Sequence, residues 1–256
     1  MSKRFFASIM AVLVCFLGRA ECRAARVPLE VTVRPNQILM GATYNGMRLS
    51  VSGKIPADTQ AFIRLTGGRT NVRLKKKGRA LGVLWMNLGT VSFHNVPKIF
   101  LIYPSGGMQK EDWEALALGF GSVKKQAKII PASDDKDLLF REFVKLKQSL
   151  GLYGTVENAI RYGEENGGGM RTFTGDLSVP SDLPEGTYKI EVYAVGKGGI
   201  VGSGTHDIEA REVGMPAFIS SLAYNHGTLY GILAVLIAII AGLVTGIIFK
   251  GGGGGH

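Results

Sequence analysis

Residues 229–249, LYGILAVLIAIIAGLVTGIIF, decide how the rest of the chain is placed. The stretch contains no charged side chain. At a rise of about 1.5 Å per residue, an α-helix of this length covers about 30 Å, the thickness of the hydrocarbon core of a bilayer. Helices of soluble proteins rarely stay apolar on every face for so long. The stretch therefore predicts one C-terminal transmembrane helix.

Small residues recur at every fourth position within this predicted helix. Ala234, Ala238, Gly242 and Gly246 stack along one helical face, and the last two form a Gly-x-x-x-Gly motif. Small residues let membrane helices approach each other closely. The spacing predicts a helix-packing face, directed towards a second copy of the chain or a span of a polytopic partner. The alternative is that the spacing reflects only the ordinary abundance of Gly and Ala in membrane spans.

The N-terminus has the plan of a secretory signal peptide. Lys3 and Arg4 precede an apolar run over residues 5–17, and small residues follow up to Ala24. We expect residues 1–24 to form the signal peptide; an uncleaved N-terminal anchor is the alternative. Cleavage after Ala24 would remove both cysteines and with them any disulfide or thiolate chemistry. Residues 25–214 would then lie outside the cytoplasm, and the Gly-rich tail 250–256 inside it.

The charge of the chain is basic. It has 30 Lys and Arg against 20 Asp and Glu, and without residues 1–24 it keeps 26 against 19, a balance of +7. Such a balance suggests nucleic acid or an anionic membrane surface as a partner. A translocated, membrane-tethered domain meets lipid headgroups, so we expect membrane lipids as partners and no nucleic acid.

The basic residues are densest in one short segment. Two interpretations are open for it: a solvated hairpin, or a surface that contacts anionic headgroups or an acidic partner. We name this segment the basic patch, and its members are Arg69, Arg73, Lys75, Lys76, Lys77 and Arg79.

Apolar and polar residues alternate through much of the chain between its two ends. A clear example is residues 188–195, where Tyr188, Ile190, Val192 and Ala194 would share one face. Gly, Asn and Pro separate such runs at short intervals, among them Gly67-Gly68, Gly78, Asn87 and residues 95–97. The pattern predicts a mainly β fold, an immunoglobulin-like antiparallel sandwich. Further strands are predicted at residues 27–34, 47–52, 61–65, 71–75, 81–86, 90–94, 99–103, 171–178 and 200–210.

The periodicity changes over residues 108–169, which we interpret as a helical insertion with little β content. Short helices are predicted at residues 111–118 and from Thr155 to about Gly163, and a longer one at 135–150. In the longer helix, Leu139, Phe143, Leu146 and Leu150 are predicted to form the buried stripe. The β segments on both sides would share one sandwich, with two small domains as the alternative. Residues 215–228 are expected to link the body to the span at 229–249.

No motif points to catalysis. Ser203, His206 and Asp207 are close in sequence, but neighbours on a strand point to opposite faces, which a catalytic triad does not allow. The four histidines lack the spacing of zinc ligands, and the scattered methionines favour core packing over copper binding. We therefore expect no catalytic residues, no cofactor and no metal.

Several segments together resemble an uncharacterised bacterial family of transmembrane proteins, mainly alphaproteobacterial. They are Lys-Gly-Arg-x-x-Gly-x-Leu-Trp-Met-Asn at 77–87, Pro-x-Gly-x-Tyr at 184–188, and the Leu-Tyr-Gly anchor that ends in Phe-Lys at 229–250. The resemblance implies a location in the cell envelope, with some members encoded near sulfite-type exporters. It supplies no catalytic residues.

These observations favour a non-enzymatic protein with a single span in the bacterial inner membrane and a body in the periplasm. The expected role is an accessory subunit or assembly factor of a multi-span membrane complex, for example a transporter. The alternative is a periplasmic module that binds a ligand or an envelope polymer, and an enzyme is the third class. The identity of the partner, any ligand and the oligomeric state are not specified by the sequence.

Overall fold

A computed structural model describes residues 27–80, 84–131, 135–166 and 168–250. The predicted signal peptide with both cysteines and the tail 251–256 lie outside the described residues. The described chain is mainly β, with helices inserted after the eighth strand and two helices at the C-terminus. The strands are β1 (Val27–Pro28), β2 (Val31–Arg34), β3 (Gln37–Met40), β4 (Met47–Pro56), β5 (Gln60–Gly67), β6 (Arg69–Ala80), β7 (Leu84–Pro97), β8 (Phe100–Pro104), β9 (Lys128–Ile130), β10 (Tyr153–Thr155), β11 (Ile160–Asn166), β12 (Met170–Val179), β13 (Gly186–Gly196) and β14 (Gly199–Glu212), and the helices are α1 (Lys110–Ala115), α2 (Phe120–Gln126), α3 (Lys136–Ser149), α4 (Met215–Asn225) and α5 (Gly227–Lys250).

Two sheets share the main core of the body. The larger has the order β1-β14-β13-β5-β8-β10, with β3 also paired to β14, and the smaller has the order β11-β12-β4-β2. Side chains from both meet in one apolar cluster that contains Leu49, Val51, Phe173, Ile190 and Val192, all fully buried. The prediction of a mainly β fold with antiparallel sheets and a C-terminal apolar helix is confirmed. The immunoglobulin-like pattern stays a prediction.

Strand β13 lies near the centre of the larger sheet, between β5 and β14. Its alternation follows from the pleat of a strand, which points successive side chains to opposite faces. Tyr188, Ile190, Val192 and Ala194 all lie in the main core, whereas Lys189 is exposed. The predicted face is therefore confirmed.

A second apolar cluster covers the outer face of the larger sheet. Phe62, Phe100 and Tyr193 from the strands pack there with Trp113 of α1 and Phe143 of α3. Burial of large aromatic side chains is among the strongest contributions to packing that a fold can use. The helices thus form a layer that is fixed to the sheet by its own small core.

Helix α3 forms where it was predicted, and the predicted stripe is right only in part: Phe143 is buried and Leu139 packs against the second cluster. Its buried positions are Phe140, Phe143 and Lys147. Leu146 and Leu150 are 41% and 49% exposed. The stripe is rotated because the aromatic cluster on β7 and β10 accepts the two phenylalanines, whose rings bury more apolar area than leucines do.

The predicted helix from Thr155 to Gly163 is also wrong. Residues 153–155 form β10, which pairs in parallel with β8, and residues 160–166 form β11, which pairs with β12. Ile160 and Tyr162 pack against the main core. Among the described residues of 108–169, β10 joins the larger sheet, β11 joins the smaller sheet and β9 joins a third, and the helices lie within 110–149.

Strands β6 and β7 form a long hairpin that belongs to a third sheet, of order β6-β7-β9. Gly78, Asn87 and Asn95, which were expected to separate strands, lie inside β6 or β7. The segments predicted as strands at 81–86 and 90–94 belong to the single strand β7 as far as the described residues show. Register shifts between Thr70 and Val72 and between Lys76 and Lys77 accommodate the irregular positions as bulges.

Candidate functional site

The C-terminal helix α5 takes no part in the packing of the described body. Its 24 residues extend about 36 Å at the rise of an α-helix. Gly227–Phe249 is long and apolar enough to cross a membrane, and none of it is buried inside the described part of the chain. The helix therefore fits the role of a membrane anchor.

The predicted helix-packing face lies on α5 with no part of the described body against it. Ala234, Ala238, Gly242 and Gly246 are all exposed. A Cβ atom added at Gly242 or Gly246 would meet no atom of the described residues within 4 Å. The face is thus sterically open, and its packing against another helix stays a prediction.

The predicted linker between body and anchor is mostly helix α4. After the last strand ends at Glu212, Gly214 turns the chain with a φ of 67°, a conformation that favours glycine. The Val213 N–H donates to the Met40 carbonyl at 3.0 Å. The Ser220 hydroxyl donates to Glu212 Oε2 at 2.6 Å. The anchor therefore follows the body through a short hydrogen-bonded junction.

Helix α4 is apolar and uncovered. None of its residues is buried, and Met215, Phe218, Ile219 and Tyr224 are exposed. The sequence contains no Asp, Glu, Lys or Arg from Met215 to Phe249. An uncharged helix with exposed aromatic and aliphatic side chains beside a span is suited to the membrane interface.

The basic patch lies along β6. Arg73, Lys75, Lys76 and Lys77 are exposed, whereas Val72 and Leu74 point into the second cluster. The side chain of Arg79, like that of Trp85, lies outside the described residues. Among the described residues, none of the four exposed cations has a carboxylate within ion-pair distance.

Arg69, the first member of the basic patch, has a different role. Its guanidinium donates to the Asn95 carbonyl at 3.0 Å and to the Gln126 side chain. The Asn95 side chain in turn donates to the Gln126 carbonyl at 3.1 Å. Asn95 has a φ of 62°, which asparagine tolerates better than most residues. Arg69 thus fixes the root of the hairpin to α2 and is not part of the free basic surface.

Sequence reasoning missed a polar network between the larger sheet and the helices. Arg64 Nε lies 2.8 Å from Glu191 Oε2, and its Nη2 donates to the Tyr193 hydroxyl at 2.8 Å. The same hydroxyl donates to Glu191 Oε1 at 3.1 Å. Arg64 Nη1 reaches the Leu118 carbonyl at 3.5 Å. The three residues occur on adjacent strands, but their sequence spacing gives no signal of the pairing.

The network lacks the features of a catalytic centre. The Glu191 carboxylate is paired with the Arg64 guanidinium and accepts from the Tyr193 hydroxyl, and the guanidinium also contacts the Leu118 carbonyl, so these groups bind one another. Ser203 and Asp207 share one face of β14 and His206 lies on the other, as the alternation of a strand requires. Among the described residues, no group of three His, Cys, Asp or Glu side chains is placed to hold a metal ion.

A groove of about 780 Å³ opens between the helical layer and the end of β8. Its lining includes the aromatic residues Trp113, Phe120 and Phe140 and the charged residues Lys110, Arg141 and Glu157. The aromatic side chains belong to the second cluster, so most of their surface is already buried. The groove has the mixed apolar and charged lining that a polar ligand requires.

These features define a class: a membrane-anchored protein with a mainly β body and one C-terminal span. Residues 28–251 match the model of the family described as "Putative transmembrane protein (Alph_Pro_TM)". The chain belongs to this family. No curated protein matches the chain significantly.

Proposed function

We propose that this protein is a non-catalytic, single-span accessory subunit or assembly factor of a multi-span membrane complex. Its body lies in the periplasm and its anchor lies in the inner membrane, where the small-residue face packs against a helix of the partner. The observation that carries this proposal is that face: it is continuous along α5 and nothing in the described chain covers it.

The chemistry of the bilayer supports an active role for the anchor. Lipid tails are as apolar as leucine, so membrane helices gain little by hiding apolar surface from each other and associate through close packing. A helix that served only as a tether would need no row of small residues. The short junction before α4 also supports an active role for the anchor. Because the junction is hydrogen-bonded, packing of the anchor against a partner would also fix the position of the body.

The test is co-purification of the full-length protein in a mild detergent. Gly242→Leu combined with Gly246→Leu adds bulk to the face, and the open space around both glycines lets the variant fold and insert. We expect it to lose a polytopic partner that the wild type retains. Leu236→Ala combined with Ile240→Ala is the control, because these exposed residues lie largely on other faces, and we expect it to keep the partner.

The measurement is the yield of each co-purified protein, identified by mass spectrometry. Equal yields of the same partners from wild type and from the double-leucine variant would show that the anchor is a passive tether. If the wild type is recovered only as a homodimer, the helix-packing face binds a second copy of the chain and not a polytopic partner.

The groove beside β8 favours a second candidate, a module that binds an envelope polymer. The aromatic and charged residues in its lining suit a sugar polymer that carries charged groups. The test is co-sedimentation of the full-length protein with purified peptidoglycan. We expect Arg141→Gln to weaken the binding and Arg48→Gln, an exposed change on β4, to leave it unaltered. Equal sedimentation of both variants with the wild type would remove this candidate.

A further inference from the structure

We infer that the outer part of the β6–β7 hairpin is a second membrane contact, which binds anionic lipid headgroups through Lys75, Lys76 and Lys77. We name this part the outer hairpin and define it as residues 75–80 paired with residues 84–90. The inference concerns how the body meets the bilayer and does not depend on which partner the anchor binds.

The hairpin continues a ladder that begins inside the body. Thr66 of β5 pairs with Phe100 of β8, and Arg69 of β6 pairs with Pro97 of β7. Between these pairs, the Gly67 N–H donates to the Ile99 carbonyl at 3.1 Å and the Lys98 N–H donates to the Gly68 carbonyl at 2.9 Å. The two long strands therefore leave the larger sheet without a break in their hydrogen bonding.

The hairpin leaves the body at the end from which the anchor also leaves. Tyr188 of β13 pairs with Gly67 on one side and with Ile208 on the other. The C-terminal ends of β5 and β14 consequently lie at the same end of the sheet. β14 leads into α4 and the span, and β5 leads into β6.

The membrane surface begins close to that end. Only residues 213 and 214 separate the last strand from α4, whose uncovered apolar side chains suit the interface. The outer hairpin extends about 20 Å beyond the part of β7 that is paired with β9, at about 3.3 Å per residue. A hairpin of this length reaches well past the two-residue junction.

The charge of the hairpin matches an anionic surface. The sequence has no Asp or Glu from residue 59 to residue 110, while the basic patch alone contributes six cations. Lys75, Lys76 and Lys77 are exposed, and Met86 on the opposite strand is 52% exposed. Residues 80–97 contain no Asp, Glu, Lys or Arg, so an uncharged strand lies directly beside the cationic one. Cations next to exposed apolar groups are the combination that binds the headgroup region.

The experiment measures backbone hydrogen exchange of the full-length protein in nanodiscs. One set contains phosphatidylcholine only, and the other contains phosphatidylglycerol as the anionic lipid. We expect slower exchange over residues 75–90 on the anionic nanodiscs and no difference over β4. About 0.5 M salt should remove most of the effect, since it shortens the Debye length to a few ångströms.

Charge variants make the test specific. Lys75→Gln, Lys76→Gln and Lys77→Gln together should lower the binding constant of the outer hairpin for the anionic surface by on the order of 100-fold, because each lysine near such a surface multiplies that constant by about five, and the lipid-dependent protection should be lost with it. The matched control is Arg34→Gln, Arg48→Gln and Lys54→Gln, three exposed changes on the smaller sheet that we expect to keep the protection.

Any of three outcomes would overturn the inference. The first is equal exchange over residues 75–90 on both kinds of nanodisc. The second is protection that appears on phosphatidylcholine only when a co-purified protein is present, which would assign the outer hairpin to an acidic protein partner. Loss of protection in both the lysine variant and the control would likewise reject a local headgroup contact.

Discussion

Lys147 is a residue whose burial has a measurable consequence. It is 9% exposed, and its ammonium lies 5.8 Å from the Tyr153 ring centroid and 3.5 Å from the Lys98 carbonyl oxygen. No carboxylate of the described residues lies within ion-pair distance of it. Burial therefore lowers the pKa of the Lys147 ammonium.

The lowered pKa of Lys147 sets the sign of a pH effect. Between its folded pKa and its unfolded value of about 10.4, the unfolded chain binds more protons, so stability rises with pH in that window. Lys147→Met should raise the free energy of unfolding by about 1 kcal/mol at neutral pH, and the gain should vanish above the window. Lys145→Met, at an exposed position on the same helix, should change it by less than about 0.5 kcal/mol. Urea unfolding at several pH values measures both, and a gain that grows with pH would contradict the assignment.

Ile190 and Lys189 test the face assigned to β13. Ile190 is fully buried in the main core, so Ile190→Asp places an unpaired carboxylate there and should cost several kcal/mol of stability. Lys189→Asp changes an exposed side chain and should cost about 0.5 kcal/mol or less. Thermal unfolding of the two full-length variants provides the comparison. Similar melting temperatures would show that the face is wrongly assigned.

At the scale of single elements, an aromatic contact joins the hairpin to α3, in addition to the hydrogen bonds of Arg69 at its root. The Phe93 ring of β7 stacks on the Phe143 ring of α3 with centroids 4.4 Å apart. We expect a double-mutant cycle with Phe93→Leu and Phe143→Leu to give a coupling of about 1 kcal/mol. Phe93→Leu with Phe173→Leu, which lies in the main core, should be additive. A coupling near zero for the first pair would mean that the helical layer does not hold the hairpin.

The sequence predicts some elements well because local chemistry decides them. The alternation in β13 and the uncharged length of α5 are such cases, since burial on one face or on all faces leaves a direct periodic pattern. The buried face of helix α3, in contrast, is decided by contacts with distant parts of the chain. Its apolar residues surround most of the helix, and only the aromatic cluster supplied by β7 and β10 decides that Phe140 and Phe143 turn inwards.

The hairpin could not be predicted for a related reason. Gly78 and Asn87 favour turns locally, but pairing across the ladder keeps both within strands. The segment at 160–166 was misinterpreted because Thr155 suits a helix cap, whereas β12 offers an unpaired edge that β11 occupies. Of the candidate site, the anchor and the cationic residues are visible in the sequence. Their arrangement at one end of the body depends on long-range strand pairing.

At the scale of the whole molecule, the central prediction is topology. Lys76→Cys and Gly253→Cys, each placed in a chain whose own cysteines are changed to serine, should differ in their reaction with an impermeant thiol reagent. In intact spheroplasts we expect label at position 76 only, because the predicted signal peptide would place the body outside and the tail inside. After permeabilisation both positions should react. Label at position 253 alone in intact cells would reverse the orientation.

The junction after β14 also determines how far from the bilayer the body can lie. Two intervening residues leave three Cα–Cα steps of about 3.8 Å, so the last strand ends within about 11 Å of the start of α4. The Ser220–Glu212 hydrogen bond shortens the separation further. A domain on a long flexible linker can search a wide volume, whereas the body of this protein stays at a nearly fixed distance from the bilayer. Any molecule that it recognises must therefore come to the membrane surface, and lateral diffusion in the plane of the bilayer is the only search available to the protein.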